Sequence, residues 1–224
     1  MTGPSSHLGV LAGLQSEARW LSPVGERRSV ALSAARQAIA QTASAWLVAD
    51  GATHLLSFGL AGGLDPAFPP GTLLLPDVLV LPDGNERRVD ADWHAALLDR
   101  LHDLQPVVGR HLGADLAVAD AGEKAVLFAR TAALAVDMES HILMQVAAGR
   151  PFAILRVVCD AAEDALPPAA LAGVKPNGAT DLPRILASIL LHPGQIPALG
   201  RLARAAQAAE RVLKACGSRP LLPG

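Results

Sequence analysis

Three carboxylates in this chain stand at or just beyond the ends of apolar runs. Glu139 follows Leu134-Ala-Val-Asp-Met, Asp160 closes Phe152-Ala-Ile-Leu-Arg-Val-Val-Cys, and Glu17 follows Leu8-Gly-Val-Leu-Ala-Gly-Leu-Gln-Ser. In open α/β sheets, ligands gather at the carboxyl ends of the strands. Acids carried there by neighbouring strands can donate or accept a proton and can stabilise positive charge developing on a substrate. Taken singly, each acid also has a structural role open to it: Glu139 at a helix N-terminus, Asp160 and Glu17 as caps. Together with the glycine-rich stretch Ser57-Phe-Gly-Leu-Ala-Gly-Gly-Leu-Asp-Pro66, they favour a site.

That glycine stretch follows a strand and allows close backbone approach. It lacks the Gly-Lys-Ser/Thr of a phosphate-binding P-loop and the spacing of the dinucleotide fingerprint. His7, His54, His94, His102, His111, His141 and His192 show no close ligand pairing, so no metal is expected. His141 fits helix packing or the surface. Ser16 and Ser140 have no nucleophile elbow around them. Cys159 and Cys216 have neither metal nor disulfide spacing, and Cys159 reads as a small buried hydrophobe.

The elements that must position these residues follow from the apolar pattern. Strands are expected near 8–14, 29–33, 53–59, 71–80, 114–119, 133–137 and 152–158. Most are continuous apolar runs, as strands covered on both faces require. Helices are expected over 15–21, 35–49, 91–104, 121–130, 138–148 and 197–216, with another opening at Asp181-Leu-Pro183. The last helix turns Arg201, Arg204 and Arg211 to solvent. The alternation predicts a three-layer α/β/α sandwich with a mostly parallel central sheet. A single domain is expected over 1–224, with an ordered core of about 7–216 and a mobile C-terminal end.

Composition narrows the function. Half the 224 residues are apolar, 18% are charged and 3% are aromatic, with no Tyr. Disorder and an aromatic base-stacking platform are both disfavoured. A net charge of −2 argues against a nucleic-acid partner. No unbroken apolar run reaches a membrane span, and the N-terminus does not resemble a signal peptide. A cytoplasmic location is expected.

The motifs Gly9-Val-Leu-Ala-Gly-Leu-Gln-Ser-Glu17, Gly59-Leu-Ala-Gly-Gly-Leu-Asp65, Ala135-Val-Asp-Met-Glu139 and Arg156-Val-Val-Cys-Asp160, in this order, resemble the nucleoside phosphorylase/nucleosidase superfamily. The likeness runs from about Leu8 to His192 and is to the 5′-methylthioadenosine/S-adenosylhomocysteine nucleosidase branch. Glu123-Lys-Ala, Ala135-Val-Asp-Met-Glu-Ser140, Pro151-Phe-Ala-Ile-Leu-Arg156 and the segment from Asp160 to Pro168 are most similar to the hopanoid-associated phosphorylase group.

The resemblance implies a phosphorylase/hydrolase-like fold and cleavage of a purine–ribose N-glycosidic bond. It implies that Asp160 protonates the leaving base and Glu17 activates water. Glu139 binds the ribose hydroxyls, Met138 packs on the sugar, Arg156 holds the water or an anion, and Ala61 and Gly62 line the base pocket. No cofactor is implied beyond inorganic phosphate as an alternative co-substrate, with Arg36 or Arg156 as its candidate anion site. The partners implied are a small-molecule nucleoside and a second copy of the chain in a homodimer.

Two departures stand out. Ser57 and Leu60 occupy positions where phosphorylases carry phosphate-binding residues, so water is favoured over phosphate. The stretch Asp120-Ala-Gly-Glu-Lys124 lacks the usual aromatic that flanks the base, and Lys124 either reaches the site instead or is solvated, the ordinary state of a lysine. The hopanoid likeness implies adenosylhopane as substrate and adenine as product, with peripheral membrane contact through the lipid-linked substrate. The runs from Ile185 to Leu191 and Ile196 to Leu202 are candidates for that contact, although core packing explains them as simply. Methylthioadenosine or S-adenosylhomocysteine cleavage, purine nucleoside phosphorolysis and noncatalytic nucleoside binding are the competing expectations.

Overall fold

The computed structural model describes residues 6–21, 25–172, 175, 178–179, 181, 185, 187–188 and 191–223. Leu182 and Pro183 of the expected helix start, and Leu186, Ile189 and Leu190 of the run from Ile185 to Leu191, lie outside the described residues.

The apolar runs form the strands β1 (His7–Ala12), β2 (Arg27–Leu32), β3 (His54–Gly63), β8 (Ala133–Asp137) and β9 (Phe152–Asp160). Every residue of β1 and β8 is buried, as their unbroken hydrophobicity requires. Four shorter strands complete the sheet: β4 (Leu73–Leu74), β5 (Val78–Val80), β6 (Glu86–Arg88) and β7 (Arg110–Gly113). The order β2-β1-β3-β8-β7-β5-β6 runs through the sheet, while β9 pairs with β3 and β4 off that path. The pairs β1–β2, β1–β3, β3–β9, β5–β7 and β7–β8 are parallel, and β3–β8, β4–β9 and β5–β6 are antiparallel.

The helices are α1 (Gln15–Ala18), α2 (Gln37–Ala49), α3 (Ala91–Arg100), α4 (Ala121–Thr131), α5 (Ser140–Val146), α6 (Pro168–Ala172) and α7 (Ile196–Gly217). One sheet face sends Leu8, Val10, Phe58 and Val157 against Trp93 and Leu97 of α3 and Ala209 and Leu213 of α7. The opposite face sends Leu11, Leu55 and Ile154 against Ala40 and Leu47 of α2 and Ile142 and Leu143 of α5. These are the three layers expected, because a sheet apolar on both faces must be covered on both. Asp90 and Asp120 cap α3 and α4 by accepting from Trp93 N and Glu123 N at 2.9 Å each. Arg201, Arg204 and Arg211 of α7 are exposed, as expected.

Several expectations are corrected. The run 71–80 is split at Pro76, which cannot donate to a ladder: β4 pairs with β9, whereas β5 pairs with β7. The strand expected at 114–119 lies earlier, as β7; Leu116 to Val118 leave the sheet and line a cavity, which explains their apolar character without a ladder. β6 returns on β5 through a turn at Asp83-Gly84, where Gly84 has φ +85°. The strand expected to end near residue 59 runs on through the glycine stretch to Gly63. The C-terminal end, expected to be mobile, packs down: Leu221 and Leu222 are buried, Trp93 Nε1 donates to Leu221 O at 2.7 Å, and Glu26 accepts from both their amides.

Candidate active site

The C-terminal half of β3 is the wall on which the acids converge. Gly62 pairs with Val136 of β8 on one side and with Asp160 of β9 on the other. Glu139 and Asp160 are therefore carried by strands that flank β3 rather than by strands paired with each other. The glycines of β3 are dictated by what lies against them. A Cβ on Gly59, which has φ +154°, would come within 2.8 Å of both Arg156 Nη1 and Glu17 Oε2. A Cβ on Gly63 would lie 2.7 Å from the Asp160 carbonyl.

Glu17, in α1 just past β1, is buried with its carboxylate turned back to the sheet. It accepts from Gly13 N at 2.7 Å, Leu14 N at 2.8 Å and Leu60 N at 3.0 Å. Burial pushes its pKa up to about 7, with Glu139 adding to the effect and Arg156 and the amides opposing it. Gly13 separates the two acids: a Cβ there would sit 3.1 Å from Glu17 Oε2 and 3.4 Å from Glu139 Oε1.

Arg156 is fully buried among acids. Its Nε lies 2.6 Å from Asp137 Oδ2, and its Nη2 donates to Ser57 Oγ at 2.6 Å and to Glu139 Oε2 at 3.5 Å. Its Nη1 donates to Leu60 O at 3.2 Å. Arg156 and His111, 3.1 Å away, hold the Asp137 carboxyl far below the usual carboxylate range even against its burial. Glu139 accepts from Ser33 Oγ at 2.8 Å, and burial raises its pKa against the pull of Arg156. Arg156, expected to hold the water or an anion, is thus already engaged by Asp137, Glu139, Ser57 and the Leu60 carbonyl. Arg36, the other candidate, is exposed and does not line the cavity.

Asp160 ends β9 almost fully buried, and burial raises its pKa while Lys124 opposes the rise. Of the two readings of Lys124, the solvated one is excluded. Lys124 is fully buried, ion-paired to Asp160 Oδ2, and donates to Ala161 O and Asp164 O at 2.9 Å each. Cys159, expected to be a small buried hydrophobe, is half-buried at the cavity and its Sγ donates to Asp160 Oδ1 at 3.2 Å. His141 is a buried helix residue with Nε2 3.2 Å from Asp115 Oδ1.

Glu17, Asp137, Glu139, Cys159 and Asp160 border one cavity of about 340 Å³. Glu17, Met138, Glu139, Asp160, Ala61 and Gly62 line it, so six of the seven residues singled out from sequence meet there; Arg156 stands behind them. The rest of the lining is mainly apolar, including Leu116, Val118, Leu166 and Leu202. Sequence reasoning gave no role to Asp137, Ser33 or His111, noted Ser57 only as a departure at a phosphate-binding position, and left Lys124 between the site and solvent. The usable signal for Lys124 was its place three and four residues before Leu127 and Phe128, on the inward face of α4. Among the described residues no group of His, Cys, Asp or Glu is arranged to hold a metal ion. No described helix is long and apolar enough to cross a membrane.

The family profile of the phosphorylase superfamily matches residues 31–190. No curated protein matches the chain by sequence. Among solved structures, the chain is similar to 5′-methylthioadenosine/S-adenosylhomocysteine nucleosidase from Helicobacter pylori with butyl-thio-DADMe-Immucillin-A, with TM-score 0.67 and 17% identity over 96% of this chain and 98% of that one. It is similar to futalosine hydrolase of Helicobacter pylori, with TM-score 0.65 and 18% identity over 94% and 97% of the two chains. The nucleosidase from Neisseria meningitidis in complex with methylthio-immucillin-A gives TM-score 0.65 and 17% identity over 94% and 99%. At these identities the likeness is one of fold.

Proposed function

Since the chain belongs to the phosphorylase superfamily, whose chemistry is N-glycosyl bond cleavage, we propose that its cavity releases adenine from a 5′-substituted adenosine and that water is the nucleophile. The observation that carries this reading is Glu17: a carboxyl buried in the cavity wall and oriented by three backbone amides, where burial raises its pKa to about 7 and so suits it to take a proton from water near neutral pH. Departure of the base leaves positive charge on the ribose, which the Glu139 carboxylate faces and stabilises. Asp160 donates the proton that makes the base a competent leaving group. Met138 packs on the sugar, with Ala61 and Gly62 against the base.

The charge balance of the site supports water over phosphate. Four acids, Glu17, Asp137, Glu139 and Asp160, share two cations, Arg156 and Lys124, and both cations are already paired. A phosphate dianion would meet uncompensated negative charge. The apolar lining suits an apolar 5′ substituent, and the 78% exposure of Leu116 leaves the rim open for a group larger than the cavity. Adenosylhopane, in hopanoid lipid biosynthesis, is the substrate we assign.

The test is adenine release from adenosylhopane, methylthioadenosine and S-adenosylhomocysteine, each with and without phosphate. The reading expects release without phosphate, and from adenosylhopane at the highest kcat/KM. Release only with phosphate would make the protein a phosphorylase, and nucleoside binding without release would make it a noncatalytic binder.

A further inference from the structure

The arrangement of Lys124 around Asp160 has a chemical consequence. Lys124 Nζ has three protons, and each has an acceptor: Asp160 Oδ2, Ala161 O and Asp164 O. Nothing is left to reach a substrate, and with the side chain fully buried its proton does not exchange directly with solvent at the surface. Both oxygens of Asp160 face the glycine wall of the cavity, at 3.5 and 3.6 Å from where a Gly62 Cβ would stand. Burial favours the protonated form of Asp160 and Lys124 favours the anion, so the proton that the proposed reaction asks of Asp160 is contested between the two groups.

We propose that Lys124 is a positioning residue that stores the proton Asp160 delivers, so that the pair, and not Asp160 alone, is the acid of the reaction. The inference rests on the function proposed above. As the C1′–N9 bond breaks and its electron pair stays on the base, an O–H bond on Asp160 breaks and N7–H forms. The proton on Asp160 comes from Lys124, whose N–H bond breaks as the O–H bond forms, leaving a neutral amine. The water that forms the new C1′–O bond gives its proton to Glu17. One proton leaves the Lys124–Asp160 pair and one enters at Glu17, so the chain's net charge is unchanged over the step, and solvent exchange restores both after the products depart.

The groups that face this pair from the elements around it are few. β9 contributes Cys159 beside Asp160. The following loop contributes Asp164, whose carboxylate lies 3.6 Å from Arg201 of α7. α4 contributes Glu123, which is exposed, and the capping Asp120. Glu17 is the remaining acid that acts electrostatically on Cys159.

The experiment compares wild-type, Lys124→Arg and Lys124→Met proteins by kcat and KM for adenine release from pH 5 to 9. An arginine keeps the charge but does not surrender its proton. The relay therefore expects Lys124→Arg to lose about 10²-fold or more in kcat near pH 7, the usual worth of positioned acid catalysis. KM should stay within a few-fold, and the deficit relative to wild type at the same pH should narrow toward pH 5 as Asp160 takes its proton from solvent. Lys124→Met leaves Asp160 to titrate by itself, so its kcat relative to wild type at the same pH should hold at low pH and fall away as pH rises. Lys124→Arg with the wild-type kcat and pH profile overturns the relay. If arginine prevents folding, a Lys124→Met profile superimposed on wild type does the same. Wild-type protein that releases adenine from none of the nucleosides overturns the function and the relay together, whereas wild-type turnover with unaffected variants overturns the relay alone.

Discussion

Arg156 Nε lies 2.6 Å from Asp137 Oδ2, with the arginine fully buried and the acid 6% exposed. That ion pair is the structural centre of the site, because the same guanidinium also reaches Glu139 and Ser57. Buried charges are tolerated only when paired and hydrogen-bonded. Arg156→Leu would leave Asp137, Glu139 and Glu17 without their shared cation. We expect it to destabilise the fold by about 3–5 kcal/mol, the usual cost of breaking a buried pair. Urea denaturation at pH 7 measures this, and Arg156→Lys should recover part of the loss, since it restores charge without the planar fork. A loss below about 1 kcal/mol, the scale of a surface pair, would refute the central role.

Glu17 links stability and activity through pH. Its pKa is raised from 4.5 to about 7, so the protonated form is favoured by the fold. The stability this confers is fully present below the unfolded value and is lost as pH rises through about 7, on the order of 3 kcal/mol in all. Glu17→Gln removes the titration. The stability of wild type relative to the variant should therefore fall between about pH 4.5 and pH 7.5, read by urea midpoints at successive pH values. Activity should run the opposite way. Hydrolysis needs the anion to take the proton of water, so kcat/KM should rise with pH and level off above about 7. A profile flat across that range would remove Glu17 from the role of base.

How much of this was legible in the sequence depended on whether a residue's neighbours are local. The β8 and β9 runs were readable because a fully buried strand is apolar throughout, and the acids at or just past their ends were conspicuous against that background. The run 114–119 misled for the same reason: residues lining an apolar cavity have the composition of a core strand, and periodicity does not distinguish the two. The place of Lys124 was left open because lysine is ordinarily solvated, and its three acceptors lie 36 to 40 residues further along the chain. Arg156 was picked out, but its engagement by Asp137, Glu139 and Ser57 is tertiary and leaves no local trace.

Asp160 and Lys124 make a paired prediction. Asp160→Asn removes the acid and should lower adenine release by about 10²–10⁴-fold. It also strands a buried ammonium, so it should cost about 3–5 kcal/mol of stability. Adding Lys124→Met to Asp160→Asn removes the stranded charge and should restore most of the stability but none of the activity. Thermal or urea denaturation alongside an adenine assay separates the two effects. A double variant that regains turnover would show that Asp160 is not the proton donor.

Gly59 makes a backbone prediction. Its φ is +154°, and a Cβ there would lie 2.8 Å from Arg156 Nη1 and from Glu17 Oε2. Backbone strain of this kind costs on the order of 1–3 kcal/mol, and a clash with two buried charged groups adds to it. Gly59→Ala should therefore lower both the urea midpoint and kcat, the latter because Glu17 is displaced from the amides that orient it. Unchanged kcat would mean that the placement of Glu17 does not matter to turnover.

The apolar rim makes the prediction on substrate preference. Leu116 lines the cavity yet is 78% exposed, so it contributes little to the core and its replacement should leave the fold intact. If a long apolar 5′ substituent passes over it, that substituent covers the side chain and gains from the contact removed from water. Leu116→Asp would place a charge there that must be desolvated when the substituent binds. KM for a 5′-alkylated adenosine should then rise about tenfold, equivalent to about 1.4 kcal/mol. KM for adenosine itself, which has nothing to lay across the rim, should stay within a factor of two or so, and kcat should be unchanged for both. Equal effects on the two substrates would place the 5′ group elsewhere in the cavity and remove the apolar rim from the argument for a lipid-linked nucleoside.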